Sequence, residues 1–103
     1  LINYHDTKKI LPYVFGKVNT YSFIEFVKTI KQSKFDFEKI KEIYFFPSGR
    51  WDIKTKDDRL FKLPIENLKF KLNSIYEINK NEEFMNSKII DLRFNKKIIF
   101  TNE

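Results

Sequence analysis

The chain has no cysteine and no alanine, only two glycines and three prolines, and a single histidine, methionine and tryptophan in 103 residues. Without cysteine there is neither a disulfide framework nor a thiolate metal site. His5 stands in a polar N-terminal stretch with no second ligand in sequence reach, so it reads as a solvated surface residue. Gly16 and Gly49 are too far apart to form a phosphate-binding loop. Asp57 and Asp58 are adjacent carboxylates, but turn chemistry accounts for both. Asp52 and Asp91 alternate outward on strands, where cross-strand pairing with Lys or Arg is the expected role. No nucleophile with a base, acid–base pair or metal cluster emerges, so the chain is expected to be no enzyme and to need no cofactor. Binding is what remains.

No apolar run approaches the roughly 20 residues of a membrane helix, and no signal peptide is present. The chain begins at Leu1 without a methionine and is expected to be a piece of something longer, with any targeting segment outside it. The net charge of +6 and isoelectric point near 9.5 would suit nucleic acid or an anionic lipid surface. The kind of cation weakens that idea. Only Arg50, Arg59 and Arg93 are arginine among 20 basic residues, whereas bidentate recognition of phosphate and guanine favours arginine. Phe, Ile, Lys and Asn make up about half the chain, a bias expected of an AT-rich genome, so much of the charge reads as compositional drift. No nucleic-acid role is expected. A basic module binding nucleic acid or an anionic membrane surface stands as the alternative reading.

Leu11-Pro12-Tyr13-Val14-Phe15-Gly16 is a short apolar segment bounded by proline and glycine, expected to pack on the core. Phe23, Phe26, Val27 and Ile30 then fall at helical spacing, which predicts an amphipathic helix over Tyr21 to Gln32 capped by Thr20 or Ser22. Ile40 to Phe46 is a strand ended by Pro47-Ser48-Gly49. Arg50 to Leu63 is a hairpin. A three-residue loop, Lys56-Asp57-Asp58, pairs Ile53 with Phe61 and Trp51 with Leu63; a two-residue loop would pair Ile53 with Lys62. That loop requires Asp58 in the left-handed region. Trp51, a residue favoured at binding hot spots, shares its parity with Ile53 and so belongs to the core; Arg50 beside it is the better surface candidate. Pro64 is expected to open a second helix with Ile65, Leu68, Leu72, Ile75 and Tyr76 as its apolar stripe, fraying near Asn79, with a short turn over Glu82 to Met85. These elements give an α+β domain: an antiparallel or mixed sheet built of hairpins, with two helices packed on one side.

The closing hairpin, Lys88 to Thr101, carries the functional hint. Ile90, Leu92 and Phe94 alternate with Asp91 and Arg93. A three-residue loop, Asn95 to Lys97, pairs Phe94 with Ile98 and Leu92 with Phe100 and turns all four inward; a two-residue loop leaves Phe100 outside. Ile99 and Thr101 then share the wet face with Asp91 and Arg93. An open sheet edge is usually blunted by charge, proline or a bulge, and Lys96 and Lys97 guard only the turn. A stray exposed isoleucine and a strand waiting for a partner both fit this pattern.

Three stretches in order, Leu11-Pro12-Tyr13-Val14-Phe15-Gly16, then Gly49-Arg50-Trp51-Asp52-Ile53 through a turn to Leu63-Pro64, then Ile90-Asp91-Leu92-Arg93-Phe94, resemble the C-terminal β-domain of the bacterial cell-division FtsQ (DivIB) family. The likeness runs from Leu11 to about Phe100 and makes residues 1–10 a lead-in from an upstream POTRA-like domain, with 11–103 the β-domain. It implies a non-enzymatic scaffold of the divisome, anchored in the bacterial inner membrane by one upstream transmembrane helix, with this domain in the periplasm at the septum. It also implies partners, namely FtsB and FtsL homologues and other divisome proteins, with an FtsB segment added as a strand to the last strand of the sheet. On that reading the partner-binding residues are Phe94, which matches the aromatic of the family's aspartate, aliphatic, arginine, aromatic run, and Lys97, Ile98, Ile99, Phe100 and Thr101. A proline at Ile99 would then remove an edge donor, and the same open edge invites pairing of two copies of the chain. Arg50 joins the set in place of the basic residue that some relatives carry before the tryptophan, a spacing at which this chain has Ser48. Asp58 and Lys97 stand where relatives usually have glycine.

Overall fold

The computed structural model describes residues 11–80, 86–94 and 99–101, and for 99–101 the backbone alone. Six strands, β1 (Tyr13–Phe15), β2 (Ile40–Phe45), β3 (Trp51–Thr55), β4 (Leu60–Lys62), β5 (Ile89–Asp91) and β6 (Ile99–Thr101), lie side by side in chain order. The pairs β1/β2 and β4/β5 are parallel and the other three antiparallel, so the sheet is mixed. Parallel neighbours require a crossover, and the helices supply it: α1 (Thr20–Gln32) between β1 and β2, α2 (Leu68–Ile78) between β4 and β5. Two crossovers of the usual hand put both helices on one face.

Period-two alternation decides what that face contains. Ile43, Ile53, Phe61 and Ile90 are register partners across β2 to β5, and each is fully buried. Over them pack Phe23, Phe26, Val27 and Ile30 of α1 and Leu72, Ile75 and Ile78 of α2. Trp51 lies in this core, stacked on Phe26 with ring centroids 4.2 Å apart and planes 4° from parallel. The β3–β4 turn is the three-residue loop with Asp58 at φ +63°, and Ile53 faces Phe61 as the parity argument requires.

Several local expectations differ from what forms. The Leu11 to Gly16 segment contributes a strand, β1, too short to show periodicity of its own. Gly16 ends it at φ +110°, where an added Cβ would lie 2.3 Å from the Phe45 carbonyl oxygen. The α1 cap is Asn19, whose Oδ1 accepts from Ser22 N–H at 2.7 Å; Thr20 is already helical. Helix α2 starts at Leu68 and not at Pro64, and Leu63 N–H still donates to the Trp51 carbonyl. The chain then needs Pro64 to Asn67 to climb from sheet to helix layer, with Asn67 at φ +57°. Ile65 and Tyr76 are exposed in consequence, and Lys71 and Ile78 complete the buried stripe. The expected turn over Glu82 to Met85 lies outside the described residues.

The closing hairpin departs most. Ile90 pairs with Phe100 and Asp91 with Ile99, a register displaced by two residues from the expected Leu92 to Phe100 pairing. The expected three-residue turn, Asn95 to Lys97, and the pairing of Phe94 with Ile98 fall on residues outside the described set, but the ladder itself stops at Asp91. The cause is visible. The N–H of Arg93, which should have bridged to the partner strand, donates instead to Asp91 Oδ1 at 3.0 Å, an Asx-type turn that lifts the chain out of the sheet. Leu92 remains buried, whereas Phe94, expected inward, is 46 % exposed. A slip of two preserves every side chain's face, so the alternation could not detect it.

Candidate functional site

The outer face of the sheet is laid out by the same register. One row runs Phe15, Tyr44, Asp52, Lys62, Asp91, Ile99 across all six strands, and among the described residues no helix covers it. Phe15 and Tyr44 stack at 5.1 Å. Lys62 stands directly between the two aspartates. Each aspartate binds an arginine two residues away in sequence, just outside the strand: Arg50 donates to Asp52, and Arg93 grips Asp91 with Nε at 2.8 Å and Nη2 at 2.6 Å. The ion pairs of both aspartates are thus local, to arginines two residues away in sequence, where cross-strand pairing was expected; Lys62 is their cross-strand neighbour by register.

The two carboxylates answer differently to this setting. Burial pushes Asp52 up from the ordinary carboxylate value, against the pull of Arg50, Lys62 and Arg93. The Arg93 hydrogen bonds hold Asp91 below it. Tyr44 donates to Glu42, and that bond together with burial pushes the phenol up to about 12. None of these groups faces a nucleophile, and among the described residues no three His, Cys, Asp or Glu side chains gather as a metal site. A cleft of about 580 Å³ beside the β3–β4 turn is lined in part by Phe35, Lys39, Thr55, Arg59 and Asn79. Its arginine is already spent on structure: Arg59 Nε donates to the Ser87 carbonyl at 3.1 Å and Nη1 to Asn79 Oδ1 at 2.6 Å. All three arginines of the chain thus hold intramolecular partners, which removes the groups best suited to phosphate.

The sheet has two ends, and they differ. At one end, Phe46 N–H donates to the Arg50 carbonyl, which sets the even residues of β2 toward β3 and the odd ones toward β1. Val14, register partner of Ile43, therefore turns its N–H and C=O outward. Two residues before it in the same phase stands Pro12, which has no N–H, and two residues after it the strand has ended at Gly16. Proline at an edge is a standard guard against strand addition.

At the other end, Leu60 N–H donates to the Lys88 carbonyl at 2.8 Å and Leu92 N–H to the Lys62 carbonyl at 2.9 Å, so the even residues of β5 point to β4 and the odd ones to β6. Asp91 with Ile99 and Ile89 with Thr101 are then the hydrogen-bonded pairs, and Phe100 opposite Ile90 directs its backbone N–H and C=O away from the sheet. Among the described residues nothing pairs with that edge. The open donor belongs to Phe100, not to Ile99, whose N–H is used inside the hairpin.

Of the residues singled out from sequence, Ile99, Phe100 and Thr101 form β6, and Phe94 lies three positions beyond the end of β5. Lys97 and Ile98 are outside the described residues. Arg50 is not brought to this edge. It sits on the outer face beside β3, three strands from β6 or about 14 Å at normal strand spacing. Its side chain is 18 % exposed, held by Asp52, by the Leu63 carbonyl at 3.4 Å and by the Phe46 ring beneath its guanidinium at 4.5 Å. The residue that sequence reasoning missed is Lys71, which reaches from α2 to the Phe94 carbonyl at 2.9 Å. A lysine in an otherwise apolar helical stripe was the available signal.

No curated protein matches the chain. The family model described as cell division protein FtsQ/DivIB, C-terminal, matches residues 2–93, nearly the whole length and ending just before Phe94. Strands β1 to β5, both crossovers, the motifs around β1 and β3 and Ile90 to Arg93 of the motif around β5 lie within that match, and the chain belongs to the FtsQ/DivIB family of cell division proteins, of which it is the C-terminal domain.

Proposed function

We propose that this domain is a non-enzymatic scaffold module of the division machinery that accepts an extended segment of an FtsB- or FtsL-type partner as a further strand on β6. The parent protein would be held in the inner membrane at the septum by an upstream helix, with this domain in the periplasm. The observation that carries the reading is the unpaired β6 edge, with the Phe100 N–H and C=O turned outward. Its counterpart at β1 is guarded by Pro12, which supports β6 over β1 as the place of addition. Backbone pairing along β6 would supply affinity, and the residues from Phe94 to Thr101 the side-chain selection.

The test follows from the phase of the edge. Peptide ligation gives a version of the domain N-methylated at Phe100. The methyl removes the outward donor and stands in the path of an incoming strand while leaving every β5–β6 bond in place. Calorimetric titration with the organism's FtsB-type segment should show a loss of affinity of about tenfold or more, the donor alone accounting for up to that factor. Equal affinity for the methylated and native domains would refute addition at β6.

A further inference from the structure

Helix α2 presents Leu72, Ile75 and Ile78 to the core, and between them and the N-terminus of the helix lies a residue of another kind. Lys71 occupies the same stripe and is also buried, 7 % exposed. An ammonium group in such a place is tolerated only if hydrogen-bonded, and the acceptor it has found is the backbone carbonyl of Phe94 at 2.9 Å. That carbonyl stands where the chain has just left the sheet. Three consecutive residues are fastened there: Leu92 through its N–H to Lys62, Arg93 through its N–H to Asp91, and Phe94 through its carbonyl to Lys71. Phe94 itself is 46 % exposed. The helix layer therefore fixes the direction in which the connection to β6 departs.

We propose that Lys71 is a positioning residue for the docking edge: by holding the Phe94 carbonyl it fixes the point at which the chain leaves the sheet after β5, so that β6 is already seated when a partner arrives. The inference rests on β6 being the edge of addition. A three-residue edge strand with one neighbour is marginal by itself, so the seated fraction depends on where its connection starts. A partner that binds only the seated state has its apparent affinity reduced by that fraction.

Lys71→Met separates this role from a general structural one. Methionine has nearly the same reach, fills the space and needs no hydrogen bond, so global stability in urea should stay the same or rise. The Ile99 and Thr101 amides, which donate within the β5–β6 pair, should exchange about tenfold faster in the free domain, while the β2 and β3 amides are unchanged. Affinity for the FtsB-type segment should fall by the same factor, and Lys71→Arg, which keeps a donor, should restore both. If Lys71→Met fails to fold, Lys71→Leu, which likewise has no donor, takes its place with the same expected exchange pattern. Unchanged exchange at Ile99 and Thr101 overturns the role of Lys71 whatever the partner does. Faster exchange with undiminished affinity overturns β6 as the docking edge, and the positioning role with it.

Discussion

Asp91 offers the most informative single perturbation. Its carboxylate receives two guanidinium bonds from Arg93, at 2.8 and 2.6 Å, and the Arg93 N–H at 3.0 Å. Bonds to a charged group contribute about 1.5–3 kcal/mol when shielded. Arg93 is 38 % exposed, so solvent screening brings the expectation for Asp91→Ala down to about 1–2 kcal/mol at neutral pH. The pH dependence carries a sign. The folded pKa lies below the ordinary 3.8, so the stabilisation is present in full above that value and drains away as pH falls through the folded one. The wild type and Asp91→Ala should differ at pH 7 and converge in strong acid. Asp91→Asn, which keeps an oxygen for the Arg93 N–H but no charge, should fall between them. Urea unfolding followed by Trp51 fluorescence along a pH series measures all three. A gap under about 0.3 kcal/mol at pH 7, or a gap that does not shrink in acid, refutes the Asp91–Arg93 ion pair as a source of stability.

Three further outcomes are expected. Asp52→Asn should show the reverse pH signature, since burial raises this carboxyl: relative to the variant, the wild type loses stability as pH climbs from 3.8 through the raised folded value, readable in the same titration. Phe26→Ala should cost about 3–5 kcal/mol and shift Trp51 emission to the red, because it strips the ring stacked at 4.2 Å on the chain's one tryptophan. Arg50→Ala should lower stability by freeing buried Asp52 and yet leave affinity for the FtsB-type segment within about twofold; a larger drop in calorimetry would mean that the partner reaches across the open face from β6 to β3.

Much of the fold was legible because alternation is a strong signal. The parity that put Trp51, Ile53 and Phe61 inward and Asp52 outward survives intact, and so does the demand for a left-handed Asp58. Where reading failed, the deciding forces were not periodic. Strand β1 is three residues long, and its pairing with β2 depends on a contact of Gly16 with Phe45. The α2 start follows the Pro64 to Asn67 climb from the sheet to the helix layer, which ends with Asn67 at φ +57°. The closing register was moved by a side chain, Asp91, capturing a backbone N–H, an event to which a period-two pattern is blind. For the candidate edge, sequence located the strand but misassigned its open donor to Ile99. The phase of an edge follows from hydrogen bonds two strands inward, between β4 and β5, and no local pattern in β6 records it.

Amide exchange at Phe100 tests the account most directly. In the free domain the Ile99 and Thr101 amides should be protected and that of Phe100 should exchange freely. On saturation with the FtsB-type segment, the Phe100 amide should slow by at least about tenfold while that of Val14, at the guarded edge, does not change. Protection appearing at Val14, or a Phe100 amide that still exchanges freely in the saturated complex, would contradict strand addition at β6.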